Sequence, residues 1–65
     1  MVSIKKEGSF VSLVEVDSGR LMRINVKHIV YYTESLTAKN CTQIFLSGGY
    51  TLEVSVSTID LKRVL

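Results

Sequence analysis

The sequence predicts a mostly β domain, either a five-stranded antiparallel meander or a small open barrel, finished by a short C-terminal helix. Two stretches, Phe10 to Val26 and Thr42 to Val56, alternate apolar and polar residues and fold back at a glycine. Proline, which would remove a ladder hydrogen bond, is absent throughout. The alternation gives way after Ser57, where Ile59, Leu61, Val64 and Leu65 take a different spacing.

The second stretch folds over Ser47-Gly48-Gly49, and parity argues its register. Tyr50, Leu52, Val54 and Val56 lie at even positions, as do Ile44 and Leu46. Directly opposed residues of an antiparallel pair share a face. A two-residue Gly-Gly loop would set Ile44 against Glu53 and mix the faces. A three-residue loop sets Leu46 against Tyr50, Ile44 against Leu52 and Thr42 against Val54, and keeps one face apolar. That loop is a type I turn followed by a left-handed residue, so Gly49 is predicted to have positive φ.

The first stretch reads the same way over Asp17-Ser18-Gly19. A three-residue loop there pairs Val16 with Arg20, Val14 with Met22, Ser12 with Ile24 and Phe10 with Val26. The two hairpins overlay with a shift of thirty positions, a weak pseudo-repeat. Residues 1–8 read as a flexible polar arm anchored only by Ile4. Lys27 and His28 break the alternation and form a turn into Ile29-Val30-Tyr31-Tyr32-Thr33-Glu34, a continuous run suited to a central strand covered on both sides. A polar loop follows to Asn40. Ser57 caps the helix, with Asp60 three residues on and Lys62 and Arg63 near its C-terminal end. The predicted strands are 9–16, 20–26, 29–34, 41–46 and 50–56.

Sixty-five residues allow a single domain, 1–65. Such a chain buries only about 60% of its unfolded surface. Its 46% hydrophobic content is high for so short a chain, which points to oligomerisation as extra support. A net charge of +2 does not by itself imply nucleic acid or an anionic membrane. One cysteine, Cys41, excludes an internal disulfide and fits a reducing compartment. Neither a membrane span nor a signal peptide is visible, so a cytoplasmic location is expected.

The residues Phe10-Val11-x-Leu13, Gly19, Ile24-Asn25-x-x-x-Ile29, Thr42-x-Ile44-x-Leu46-x-Gly48-Gly49 and Val54-x-Val56-Ser57 together resemble the small flagellar FlbD-type proteins over about residues 10–65. The chain departs from that pattern in its leading residues, in a longer loop at 35–40, and in Asn25-Val26 where the family has Asn-Pro. The resemblance implies a small non-enzymatic accessory protein acting through protein contacts, and it carries over no catalytic residue. The DNA-binding LytTR domains have a looser similarity of strand rhythm and are substantially longer.

Candidate sites divide into three kinds. For catalysis, one His and one Cys (His28 and Cys41) form a nucleophile–base pair only if the fold brings them together. No four-ligand zinc set exists, the carboxylates are spread along the chain, and Gly48-Gly49 lacks the Lys-Ser/Thr of a phosphate loop. No enzyme activity, cofactor, metal or small-molecule substrate is expected. For protein contact, the odd face carries Val11, Leu13, Leu21 and Phe45 among Glu15, Arg23, Gln43 and Glu53. It is too apolar to be simply wet, and it marks the expected surface for self-association or for another protein. For nucleic acid, the alternative, small barrels bind single strands with aromatics flanked by basic residues, here Arg20, Arg23, Lys27, Tyr31 and Tyr32.

Overall fold

The computed structural model describes residues 5–65, and in it the alternating stretches become two three-stranded antiparallel sheets. The first contains β1 (Lys5–Glu7), β2 (Phe10–Val14) and β3 (Leu21–Asn25), in that order. The second contains β4 (Ile29–Glu34), β5 (Thr42–Leu46) and β6 (Thr51–Val54). The chain ends in α1 (Thr58–Val64). The mostly β composition and the terminal helix match the sequence reading. The single five-stranded meander or barrel does not: the described residues form six strands in two sheets, and their ladders close no barrel.

The extra strand is β1. Lys5 to Glu7 pair with Phe10 to Ser12 across a tight turn at Gly8-Ser9, within the stretch that the sequence reading placed in a polar arm. Ile4, its expected anchor, lies outside the described residues. The sheets join where β2 runs out. The Val16 N–H donates to the Glu53 carbonyl (2.9 Å), the Ser55 N–H donates to the Val14 carbonyl (2.8 Å), and Glu15 bridges Val54.

The second hairpin has the argued register: Thr42 faces Val54 and Ile44 faces Leu52. Leu46 donates its N–H to the Tyr50 carbonyl (2.7 Å), which leaves Ser47-Gly48-Gly49 as the loop. Gly49 has φ +83° as predicted, but Gly48 is positive too, at +87°, where a type I turn would be negative. Gly-Gly adopts two consecutive positive φ values with no Cβ to clash.

The first hairpin is shifted by one residue. Val11 faces Ile24, Leu13 faces Met22 and Val14 faces Leu21. Glu15 and Arg20 close the turn (Glu15 N–H to Arg20 carbonyl, 2.9 Å), and the loop is the four residues Val16-Asp17-Ser18-Gly19. Ser18 anchors it, donating from Oγ to Glu15 Oε1 (2.6 Å) and accepting from the Arg20 N–H (3.2 Å). Gly19 takes φ +70°. The shift reverses the faces of β2: Val11 and Leu13 turn inward, Phe10 and Val14 outward.

The core consists of Val11, Leu13 and Ile24 from the first sheet, Ile44 and Val54 from the second, and Val56 and Leu61 from the exit strand and helix. Each contributes about 1.5–3 kcal/mol relative to exposure. Thr42 is buried among them and donates its hydroxyl to the Val56 carbonyl (2.7 Å). A 3-10 turn at Val26–His28, capped by the Asn25 side chain, forms where the alternation breaks. It feeds β4, which is an edge strand with Val30 and Tyr31 exposed rather than a central strand covered on both sides. The run is continuous because a bulge between Ile29 and Tyr31 changes the parity midway, not because both faces are buried.

Candidate functional site

The outward faces of the two sheets differ in chemistry. On the first sheet, Val14 and Leu21 are directly opposed, and both are exposed, Leu21 by 67%. Phe10 lies on the same face and Val16 follows just beyond β2, both also exposed. Arg23 opposes Ser12, and its guanidinium carbon lies 5.6 Å from the centre of the Phe10 ring. The cation covers part of the aromatic face while its own charge stays wet.

On the second sheet the outward residues of β5 and β6 are Gln43, Phe45, Thr51 and Glu53, with Tyr31 and Thr33 from β4. Tyr31 and Phe45 are opposed, with ring centroids 4.3 Å apart and planes tilted by 52°. Tyr32 points to the other side and packs on the core, so the two tyrosines face opposite sides as their adjacency required.

The expected contact face is therefore divided. Val11 and Leu13, assigned to it from sequence, are core residues, with Val11 fully buried. Leu21 and Phe45 do face outward, but on different sheets. Phe10, Val14 and Val16 take the places left by Val11 and Leu13. Ser12 held the signal: reading the even face as core puts a hydroxyl in the middle of it, whereas the observed register turns Ser12 outward between Phe10 and Val14. Among the nucleic-acid candidates, Arg20, Arg23 and Lys27 line β3 and its two ends, all exposed. Tyr31 lies on the second sheet and Tyr32 packs on the core.

His28 and Cys41 are held apart. The His28 ring nitrogen Nδ1 bonds Ser47 Oγ (3.0 Å), and the Ser47 N–H donates to the His28 carbonyl (2.8 Å), which ties the 3-10 turn to the hairpin loop. Cys41 precedes the opposite end of β5, roughly 20 Å away along the strand. It lines an open cleft of about 550 Å³ between the 35–40 loop and the start of α1. Ser35 organises that loop, donating to Glu53 Oε2 (2.8 Å) and accepting from the Thr37 and Ala38 N–H groups (3.2 Å each). The described residues contain no cluster of three or more His, Cys, Asp or Glu able to hold a metal ion. No helix among them is long and apolar enough to cross a membrane.

Comparison with protein-family models, with curated proteins and with solved structures gave no match.

Proposed function

We propose that this chain is a non-enzymatic, self-associating protein-interaction domain, an accessory or adapter subunit of an intracellular assembly. The observation that carries this reading is the exposed apolar group on the first sheet: Phe10, Val14, Val16 and Leu21, on adjacent strands and their extension. A small monomer gains nothing by leaving a cross-strand Val–Leu pair in water, whereas a contact surface requires it. The resemblance to FlbD-type proteins agrees with an accessory role. The experiment is light scattering over a dilution series. A mass that rises above that of one chain with concentration supports the reading, and a single-chain mass at every concentration counts against its self-associating part.

A weaker second reading, a single-stranded nucleic-acid module, draws on the outward Tyr31–Phe45 pair and on Arg23 above Phe10. Its test is a mobility shift on mixed single-stranded DNA and RNA. Phosphate contacts would make binding fall steeply with salt, and no shift at low salt removes this reading.

A further inference from the structure

The free edges of the two sheets are not alike. β1 carries Lys5 and Lys6; β3 carries Arg23 and is flanked by Arg20 and Lys27. Charges at such positions oppose pairing with another chain. β4 has none from Ile29 to Thr33: the run Ile-Val-Tyr-Tyr-Thr combines high β-propensity with no proline and no charge. Among the described residues β4 pairs with β5 alone. Val30 is 64% exposed and Tyr31 53%, and Leu36, two residues past the strand, is 97% exposed. The bulge at Ile29/Tyr31 blunts this edge in part, and it leaves Tyr31 to Glu34 in regular register.

The ends of β4 carry opposite chemistry. Lys27 and His28 precede it and Glu34 finishes it, and all three are exposed. An antiparallel copy of the same strand brings each basic end against the acidic end of the other, twice by symmetry. The equivalent pairing of β3 about its centre would oppose Arg23 to itself.

We infer that β4 is the self-association edge: a second copy of this chain pairs with it antiparallel, about a two-fold axis at Tyr31. That register sets Val30 against Tyr32 of the second copy and brings the Lys27–His28 turn of one copy toward Glu34 of the other. The two second sheets become one six-stranded sheet, and the Tyr31–Phe45 pairs join into a row of four rings across its outer face. The inference rests on the self-association reading but moves self-association from the apolar group of the first sheet to this edge; that group then serves the protein-contact part of the same reading.

Light scattering and cysteine cross-linking test it together. The unaltered chain gives twice the mass of one chain. Tyr31→Lys gives a single-chain mass with an unchanged circular dichroism spectrum, and Leu21→Lys keeps the doubled mass. If Tyr31→Lys does not fold, Val30→Lys, on the same exposed edge, takes its place. With Cys41→Ser in the background, Tyr31→Cys forms a disulfide-linked dimer under mild oxidation and Leu21→Cys does not. Opposed Cα atoms of an antiparallel pair, roughly 4.5–5.5 Å apart, fall within disulfide reach. A doubled mass that survives Tyr31→Lys but is lost in Leu21→Lys overturns the edge assignment and leaves self-association standing. A single-chain mass for the unaltered protein at every concentration overturns both.

Discussion

The two hairpins have glycine-containing turns and strands of four or five residues, yet they present different surfaces. The second, β5–β6, keeps its aliphatic side chains inward and leaves Gln43, Thr51 and Glu53 beside the Tyr31–Phe45 pair. The first, β2–β3, buries Val11, Leu13 and Ile24 and still exposes Phe10, Val14 and Leu21. The difference follows from turn length. A three-residue loop over Gly48-Gly49 and a four-residue loop ending at Gly19 differ by one residue, and one residue of register exchanges the faces of a strand. The first hairpin bears apolar residues at both parities of β2, so either register buries a usable set. The set left outside then becomes available for contact.

The widest separation between the two readings of β2 comes from neighbouring residues. Leu13→Ala removes a core side chain and should cost about 2–5 kcal/mol in chemical denaturation. Val14→Ala, on the exposed side, should stay within about 1 kcal/mol. The reverse order would mean that Val14 is core and that the hairpin closes over three residues after all. Both turns can then be compared by alanine. Gly48→Ala places a Cβ 3.2 Å from the Tyr50 ring at φ +87°, whereas Gly19→Ala at φ +70° meets open space. Positive φ costs either variant about 1–2 kcal/mol, so Gly48→Ala should be the more destabilising by the added crowding. Equal losses would show that the Tyr50 ring moves aside.

Much of this was legible beforehand. Register, loop and Gly49 conformation in the second hairpin followed from one uniform parity, and the Ser57 cap followed from a break in period. The 3-10 turn appeared where Lys27 and His28 interrupt the pattern. The rest was hidden for definite reasons. In β2, hydrophobicity is nearly equal on both parities, and only Ser12 distinguished them. In β4, a bulge allowed an edge strand to imitate the continuous run of a buried one. The pairing of β1 uses backbone groups of Lys5 to Glu7, to which side-chain patterns are blind. Of the candidate surface residues, Leu21 and Phe45 were placed outward correctly, and Val11 and Leu13 were lost with the β2 register.

A third test asks whether the second hairpin depends on the segment that follows it. Thr42 is the one buried polar side chain among the described residues, and its hydroxyl ties β5 to the Val56 carbonyl beyond β6. Thr42→Val keeps the shape and removes the donor, leaving that carbonyl unpaired, and should cost about 1–3 kcal/mol. The first hairpin has no such tie among the described residues. A neutral Thr42→Val would mean that the carbonyl finds water, so the packing between β5 and the exit strand would be looser than the burial of Val56 implies.

The smallest effects come from the helix, and they separate a backbone contribution from a charge contribution. Ser57 Oγ accepts the Asp60 N–H at 3.2 Å and satisfies a donor that the first turn leaves unpaired. Arg63 approaches Asp60 at 3.9 Å, with the Arg63 side chain largely in solvent and that of Asp60 about half exposed. A seven-residue helix does not persist on propensity. It is held by Leu61 in the core and by its cap, so Ser57→Ala should cost about 1 kcal/mol. Arg63→Gln should change stability by less than about 0.5 kcal/mol, and by less still in salt, because an exposed pair at that distance is screened. A larger loss for Arg63→Gln than for Ser57→Ala would place the support of the helix in its charges. The contact between Leu61 and the second sheet would then be a consequence of the helix rather than its cause.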